Sequence, residues 1–328
     1  MLNRIVLFRE NHKIIAALCA MVAVFFFSLN DAFIKFLSDD YALHQIVLVR
    51  SGIGLLILMA IFVPFHGTLS VLRTRRLGMH LLRGLAVVFA NLTFFIGLAE
   101  LPLAEATAIF FVSPLLITVL SIIFLKEQVG VHRWASVFLG LVGVLIILRP
   151  GTEAFKLSSL LPIAAALGYA TLHMLTRKMG KTESALTMSF YIQVTFIFTS
   201  FLFWLFFGDG RFSEVDSPAL HFLLREWGPL SKDDGFVFVL VGMSSAFGGF
   251  LISQAYRKSE AAFVAPFEYI AMPLSICWGI LIFNNLPDAQ SLLGMGMIIG
   301  SGLYIIWREA IRGKRQAKQL LGSPRFRR

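Results

Sequence analysis

Ten long apolar stretches constrain the fold of this chain more than any other feature of its sequence. A helix that crosses the roughly 30 Å hydrocarbon layer of a bilayer needs about 20 mostly apolar residues. The 328 residues are 57% hydrophobic and 15% charged, whereas a soluble domain averages about 45–50% apolar and about 25% charged residues. The sequence therefore excludes a soluble enzyme and predicts an all-α integral membrane protein. The ten predicted transmembrane helices are 14–37, 43–63, 79–99, 103–125, 133–148, 157–178, 187–207, 235–256, 261–283 and 289–307.

The distribution of basic residues predicts the orientation of these helices. Short cytoplasmic loops of membrane proteins collect Lys and Arg. Of the 29 Lys and Arg residues, 21 fall on the side that carries both termini and five on the opposite side. We therefore expect a multi-pass protein of the cell inner (plasma) membrane with both termini cytoplasmic. The basic tail 308–328 can contact anionic membrane lipids, and no nucleic-acid partner is expected because no recognised binding motif is present.

Motifs for catalysis or cofactor binding are not found in the sequence. Cys19 and Cys277 lie in apolar stretches outside any CxxC or Cys/His cluster, so no metal or other cofactor is expected. No HExxH, GxSxG or P-loop pattern occurs, which argues against an enzyme and against a built-in ATP motor. The basic N-terminal segment resembles a signal peptide, but we interpret it as an uncleaved first transmembrane helix.

Weak internal similarity divides the chain into two halves of five helices, 14–150 and 157–307, followed by the tail. Glu127 precedes Arg149 by 22 residues, and Asn285 precedes Arg308 by 23 residues. Because five is an odd number, the two repeats are predicted to lie inverted in the membrane. Inverted repeats are typical of alternating-access transporters, whose substrate site lies at the repeat interface near the midplane.

The motifs in these halves resemble a known family. The run from Pro114 through 125–127 (LKE) to 149–151 (RPG) resembles the end of an EamA domain of the drug/metabolite transporter superfamily. The segments 254–257 (QAYR) and 265–269 (APFEY) resemble the matching part of a second such domain. The resemblance covers about 14–307 and implies a ten-helix secondary transporter with a central cavity.

Two details of the resemblance bear on function. Asn285 stands where the family usually has glutamate, so a role for that acid cannot be assumed in both halves. Segment 30–35 (NDAFIK), with Gln45 and Arg50, resembles the subgroup of bacterial riboflavin and S-adenosylmethionine uptake proteins. The resemblance therefore implies uptake of a vitamin or nucleoside-like small molecule. Export of amino acids or toxic metabolites is the alternative, and a membrane enzyme or a channel is a remote one.

Ionisable residues inside the predicted helices are the first candidates for function, because each costs about 2.5–3.5 kcal/mol at a helix centre. Asp31 and Lys35 are one helical turn apart, and Arg50 lies at a similar depth on the next helix. An Asp31–Lys35 or Asp31–Arg50 pair could fix helix register or serve substrate binding and gating. Glu268 is a candidate for proton coupling, for binding a cationic substrate, or for a static pair with Arg177.

Further polar and aromatic residues could line a cavity and stack on a planar ligand, although most aromatic residues of a membrane protein only pack. His173 fits either a switch or a satisfied polar residue between helices, whereas Arg83 and Glu105 are expected to snorkel or cap near helix ends. The remaining candidates for substrate binding or gating are Asn30, Tyr169, Tyr191, Gln254, Tyr269 and Trp278.

Three sequence features outside this group predict local structure. Pro114, Pro266 and Pro273 can kink the fourth and ninth helices. Leucines and a tryptophan in 217–227 repeat with helical spacing, which indicates either an amphipathic surface helix or a loop packed on the bundle. The Gly296-x-x-x-Gly300 pattern allows close helix approach, within the chain or in a homodimer.

Overall fold

The computed structural model describes residues 2–66, 69–151, 156–213 and 217–321. Within these residues it contains no strand and ten helical spans that are long and apolar enough to cross a membrane. Every span begins and ends within two residues of its predicted limits. The number and position of the spans confirm the predicted fold class. The spans, numbered one to ten, are His12–Leu37, Leu43–Phe65, Leu77–Glu100, Leu103–Leu125, Val131–Leu148, Leu157–Met179, Ala185–Phe207, Gly235–Lys258, Ala261–Phe283 and Ala289–Arg308.

Matching local structures recur in the two five-span halves. After span four, Lys126 has a left-handed backbone (φ 56°), and after span nine Asn284 does the same (φ 52°). The next residue in each turn donates its N–H back into its own span, from Glu127 to the Ser121 carbonyl and from Asn285 to the Gly279 carbonyl. Because each half has an odd number of spans, the two equivalent turns lie on opposite faces of the bundle.

Spans four and nine are each interrupted in their first half. Span four consists of helices Leu103–Phe110 and Ser113–Leu125, with Pro114 at the start of the second. Span nine begins with helix Ala261–Val264, passes through a 3₁₀ segment at Ala265–Ile270, and continues as helix Ala271–Phe283. Proline lacks the N–H of a regular helix, and non-helical backbone at membrane depth is tolerated where protein or a cavity surrounds it.

A short helix on the face opposite the termini lies within the long connection before span eight. It spans Pro218–Leu224, and the Ser217 side chain accepts a bond from the Leu220 N–H at 3.5 Å. Ala219 and Phe222 are buried, whereas Leu220 is 44% exposed. This connection therefore contains a short helix, and the helix packs on the bundle through Ala219 and Phe222.

Arg83 contradicts the expectation that it snorkels from the start of span three. Its side chain is 2% exposed and is directed into the bundle. The guanidinium donates to Thr176 Oγ1 at 2.8 Å, to the Met188 carbonyl at 2.7 Å and to Ser253 Oγ at 2.9 Å. These three acceptors lie on spans six, seven and eight, so Arg83 joins the first half to the second.

Two arginines link the last spans of the halves at opposite faces. Arg149, which follows span five, is ion-paired with Asp288 just before span ten. Arg308, at the end of span ten, contacts the imidazole of His132 near the start of span five. The hydrogen bond from Arg149, followed by that from the Ser291 amide, lowers the pKa of Asp288 to about 2. The similar spacings noticed in the sequence therefore correspond to similar cross-half contacts.

Close packing of spans five and ten depends on a pair of glycines. A Cβ on Gly294 would lie 2.6 Å from the Gly143 carbonyl, and a Cβ on Gly143 would lie 2.6 Å from the Gly294 carbonyl. Gly296 and Gly300 have no neighbour within 4 Å of an added Cβ. The expectation that Gly296 and Gly300 support close approach within the chain is therefore wrong, because they face away from span five.

We predict that Gly294→Ala destabilises the protein by about 1–3 kcal/mol, since the methyl group must displace packed backbone. Gly296→Ala is the matched control on the same helix and should leave stability unchanged or raise it by up to about 1 kcal/mol. Thermal unfolding of the purified variants in detergent measures both effects. An equal change in the two midpoints would contradict this account of span packing.

We predict that Arg83→Gln lowers the free energy of unfolding by more than about 2 kcal/mol, because three hydrogen bonds are lost and buried acceptors are left unpaired. Arg83→Lys should also destabilise the protein, since one ammonium cannot reproduce the planar guanidinium fork. Arg211→Gln and Arg211→Lys, on an arginine whose side chain is 60% exposed, are matched controls. Thermal midpoints that do not separate the two positions would refute the proposed link between halves.

Candidate substrate cavity

A central cavity of about 160 Å³ lies between the two halves. Its wall includes residues of spans one to four from the first half and spans six to nine from the second. Most of the wall is apolar and rich in phenylalanine, but among the described residues four acidic or basic side chains also belong to it. These are Asp31, Arg50, Arg83 and Glu268.

Arg50 and Asp31 share one part of the wall, with the amide of Asn30 between them. Arg50, 3% exposed, donates to Asn30 Oδ1 at 3.4 Å and to Asn91 Oδ1 at 3.3 Å. Asn30 Nδ2 in turn donates to Asp31 Oδ1 at 3.1 Å. The guanidinium also lies 4.8 Å above the ring of Phe196.

Neither ion pair suggested for Asp31 is formed within the described residues. Among all residues that the structure describes, no Lys or Arg nitrogen lies within 4.0 Å of the Asp31 carboxylate. Lys35 is not part of the cavity wall and instead donates to the carbonyls of Leu98 at 2.7 Å and Leu101 at 2.8 Å. The ammonium group therefore satisfies carbonyls at the C-terminal end of span three, where a helix leaves acceptors unpaired.

Glu268 lies in the 3₁₀ segment of span nine and is 4% exposed. Tyr169 donates its hydroxyl to Glu268 Oε2 at 2.8 Å, and Tyr256 donates to Oε1. Across the described ranges, no basic side chain comes within 4.0 Å of this carboxylate. The interruption of the helix thus presents an acid to the cavity with tyrosine hydroxyls as its partners.

Arg177 is not the partner of Glu268, which corrects one of the suggested pairs. Its Nε lies 3.6 Å from Glu127 Oε1, and its Nη1 donates to the Arg257 carbonyl at 3.2 Å. Arg177 lies near the end of span six, where it reaches the turn after span four rather than the middle of span nine. Its charge is therefore balanced at the face of the bundle that carries the termini.

His173 supports the two tyrosines from behind the cavity wall. Its ring stacks on Tyr256 with centroids 3.8 Å apart and meets Tyr169 edge-on at 4.1 Å. The side chain is 1% exposed, and neither ring nitrogen has a hydrogen-bond partner among the described residues. The structure therefore brings His173 beside the Glu268 cluster without bringing it to the cavity surface.

The remaining aromatic candidates differ in their distance from the cavity. Tyr269 packs against Gly302, whose added Cβ would lie 2.6 Å from the ring, so this side chain fills the space beside span ten. Trp278 donates its indole N–H at 3.1 Å to Ser28 Oγ, which does line the cavity. Neither Tyr269 nor Trp278 forms part of the wall itself.

Tyr191 and Gln254 lie towards the face that carries the termini. The Tyr191 ring is 4.4 Å from that of His80. Gln254 accepts a hydrogen bond from Arg257 Nη1 at 3.5 Å through its side-chain oxygen. Both residues lie outside the cavity wall.

Sequence reasoning missed Asn91 and Tyr256. Asn91 holds Arg50, and Tyr256 holds Glu268. An isolated amide within an apolar helix is a usable signal for Asn91, because such groups are expensive in a bilayer unless they are paired. Tyr256 offers no comparable signal, since a tyrosine near a helix end is common in membrane proteins.

Polar contacts bridge the two halves at the face of the bundle that carries the termini, called the terminal face below. Glu127 accepts from the Ala261 and Ala262 N–H groups, each at 3.2 Å, and so caps the start of span nine. His80 Nε2 lies 3.4 Å from Glu183 Oε2. Both contacts connect a residue of the first half to one of the second.

The opposite face is bridged in the same manner. Tyr41 donates to Asp234 Oδ2 at 2.7 Å, and Gln45 Nε2 donates to the Gly228 carbonyl at 2.6 Å. These contacts join the turn between spans one and two, and the start of span two, to the connection before span eight. The cavity therefore lies between two layers of polar contacts that both cross the boundary between the halves.

Comparison with known proteins agrees with this architecture. Residues 14–149 match the model of the EamA-like transporter family. The chain is 28% identical to a riboflavin transporter of Vibrio cholerae, over 94% of this chain and 98% of that protein. It is 29% identical to an S-adenosylmethionine uptake transporter of Rickettsia bellii, over 86% and 90% of the two chains.

One more relative and one solved structure are also similar to this chain. The pseudopaline exporter of Pseudomonas aeruginosa is 25% identical over 86% of this chain and 92% of its own length. A solved crystal structure superimposes with a TM-score of 0.65 and covers 94% of this chain and 99% of the other. At 16% identity that structure shows the fold alone.

The domain match, the transporter relatives that align over most of the chain, and ten apolar spans around a cavity all agree. They indicate a multi-pass membrane transporter of small molecules rather than an enzyme. The chain is therefore similar to the EamA-like transporters, through the family match over residues 14–149 and through transporter relatives that align over most of its length.

Proposed function

We propose that this protein is a secondary active transporter that takes up a planar vitamin or nucleoside-like metabolite across the bacterial inner membrane. The observation that carries the proposal is a cavity at the repeat interface with an aromatic wall and buried ionisable groups. The relatives named riboflavin transporter and S-adenosylmethionine uptake transporter support this class of solute. The excess of basic residues on one side supports cytoplasmic termini.

The aromatic wall favours a planar solute. Phe110 meets Phe94 with ring centroids 5.3 Å apart and Tyr169 with centroids 5.2 Å apart, both edge-on. Edge-on packing leaves ring faces and edges available to a third ring, and stacked or edge-to-face aromatic pairs add about 0.5–1.5 kcal/mol beyond area burial. Flavin and purine rings fit this kind of contact.

The two polar layers support an alternating-access mechanism. Opening the terminal face requires the loss of contacts such as Glu127–Ala261, and opening the opposite face requires the loss of contacts such as Tyr41–Asp234. The interrupted spans four and nine provide the points at which each half can bend. Rocking of one inverted repeat against the other would then expose the cavity to each side in turn.

Glu268 is the residue we assign to proton coupling. Its carboxyl group lies in the cavity wall, and within the described ranges only tyrosine hydroxyls are directed at it. A buried carboxyl without a cationic partner exchanges a proton more readily than a paired one, because its charged form is not compensated. Opening the cavity to either side would give this group access to water.

Export is the second candidate direction. The pseudopaline exporter relative supports it, and the same inverted-repeat mechanism can run both ways. Preloaded proteoliposomes of defined protein orientation distinguish the two. Efflux that exceeds uptake under a physiological gradient would favour export.

We predict saturable uptake of labelled riboflavin or S-adenosylmethionine into proteoliposomes that contain the purified protein. Unlabelled solute inside the vesicles should accelerate uptake, since a carrier exchanges solute through its cavity. Protein-free vesicles are the control. No uptake of either compound, together with accumulation of unrelated amino acids, would overturn the proposed solute class.

We predict that Glu268→Gln retains solute exchange at equilibrium but loses stimulation by a pH gradient, because the amide cannot carry the proton. Uptake with and without an imposed gradient measures the difference. Glu226→Gln, on an exposed residue of the connection before span eight, is the matched control and should behave like wild type. Full gradient dependence in Glu268→Gln would assign coupling to another group.

A further inference from the structure

The Arg50 guanidinium has donors that the protein leaves unused. A guanidinium carries five N–H groups. The described residues provide two acceptors, the amide oxygens of Asn30 and Asn91, at the long distances of 3.4 and 3.3 Å. Its Nε has no acceptor among the described residues, although the side chain is 97% buried.

No carboxylate of the described chain lies within 4.0 Å of this guanidinium. Buried charges in proteins are normally paired, because an unpaired one loses its hydration without compensation. Arg50 nevertheless belongs to the cavity wall. A group with this charge and these free donors is suited to an anionic oxygen group from outside the chain.

Asp31 is the complementary group beside it. Asp31 lines the same cavity, accepts from Asn30 through Oδ1, and has no cationic partner within 4.0 Å in the described residues. The Asn30 side chain uses its oxygen towards Arg50 and its nitrogen towards Asp31. The two opposite charges attract each other across this amide without forming a direct ion pair, so that each can still meet a separate charge of a ligand.

We propose that Arg50, Asn30 and Asp31 form a head-group subsite for a zwitterion, with an anionic oxygen group at Arg50 and an ammonium group at Asp31. The α-amino acid group has this chemistry, since its carboxylate and ammonium are attached to one carbon. The proposal rests on the proposed transport function and narrows its solute to a planar compound that carries an amino-acid group. The planar part would lie along the aromatic wall towards Tyr169.

The subsite should discriminate against neutral solutes. A site built to pair charged groups rejects an analogue that leaves those groups unpaired. The fork of a guanidinium also matches a carboxylate in two parallel hydrogen bonds, which an ammonium cannot do. A neutral flavin would fill the aromatic part of the cavity and leave Arg50 and Asp31 without partners.

Matched ligand pairs test the proposal by equilibrium binding to the purified full-length protein in detergent. The pairs are S-adenosylmethionine with its decarboxylated analogue, and tryptophan with tryptamine; riboflavin is the neutral probe. For at least one pair, we expect the carboxylate-bearing member to bind wild type at least about tenfold more tightly. Arg50→Gln should remove that advantage and leave the decarboxylated member within about twofold.

Further variants separate charge from geometry. Arg50→Lys should give an intermediate loss, because the charge stays and the fork is lost. Asp31→Asn should weaken both members of a pair, since both carry the ammonium group. Arg211→Gln is the matched surface control and should bind like wild type. Thermal unfolding midpoints show whether each variant is folded. If Arg50→Gln or Asp31→Asn is misfolded, the binding of the ligand pairs to wild type and to Arg50→Lys tests the subsite instead.

Several results would overturn the subsite. They are equal binding of the two members of each pair, equal weakening of both by Arg50→Gln, binding of riboflavin but of no zwitterion, and binding of none of the probes. Transport separates this proposal from the previous one. Riboflavin uptake that is unaffected by Arg50→Gln supports the transporter and refutes the subsite, whereas zwitterion binding without any flux supports the subsite alone.

Discussion

Backbone hydrogen bonding without water is the constraint on which the rest of this structure depends. In hydrocarbon, each unpaired N–H or carbonyl costs several kcal/mol, so the chain crosses the membrane as helices. Where helices end inside the bundle, side chains complete the bonding. Lys35 donates to the last carbonyls of span three, and Glu127 accepts from the first N–H groups of span nine. The interruption of span nine is what presents Glu268 to the cavity.

The buried charged side chains fall into two groups. Some hold the bundle together through their hydrogen bonds, and others line the cavity without a partner of opposite charge. Arg83 uses three acceptors on three spans of the other half, which makes it a structural link even though it touches the cavity. Within the described residues, Arg50 donates its hydrogen bonds only to amide oxygens, and Glu268 accepts hydrogen bonds only from tyrosine hydroxyls. The difference in partners, rather than burial, distinguishes the candidate functional groups from the structural ones.

The inverted repeat keeps its backbone geometry while its side chains differ. Lys35 and Arg177 each lie two residues before the end of their helix, and each donates to a carbonyl at another helix end, Leu101 and Arg257 respectively. Arg177 also pairs with Glu127, whereas the equivalent of Glu127 is Asn285 and Lys35 lies over the Phe283 ring. A basic side chain therefore donates to a helix-end carbonyl at both faces, whereas a glutamate follows the turn at only one face. Such asymmetry allows the two faces of a carrier to differ in stability.

The sequence alone determined the ten spans and their limits, because bilayer thickness sets the length of an apolar helix and no tertiary contact is needed. It also identified Asp31, Arg50 and Glu268, since ionisable groups in apolar helices are rare. Only the tertiary structure decided their partners. Asn30 separates Asp31 from Arg50, Tyr169 and Tyr256 hold Glu268, and Arg83 is buried rather than snorkelling. These contacts depend on helix rotation and on which spans meet, and hydropathy does not encode either one.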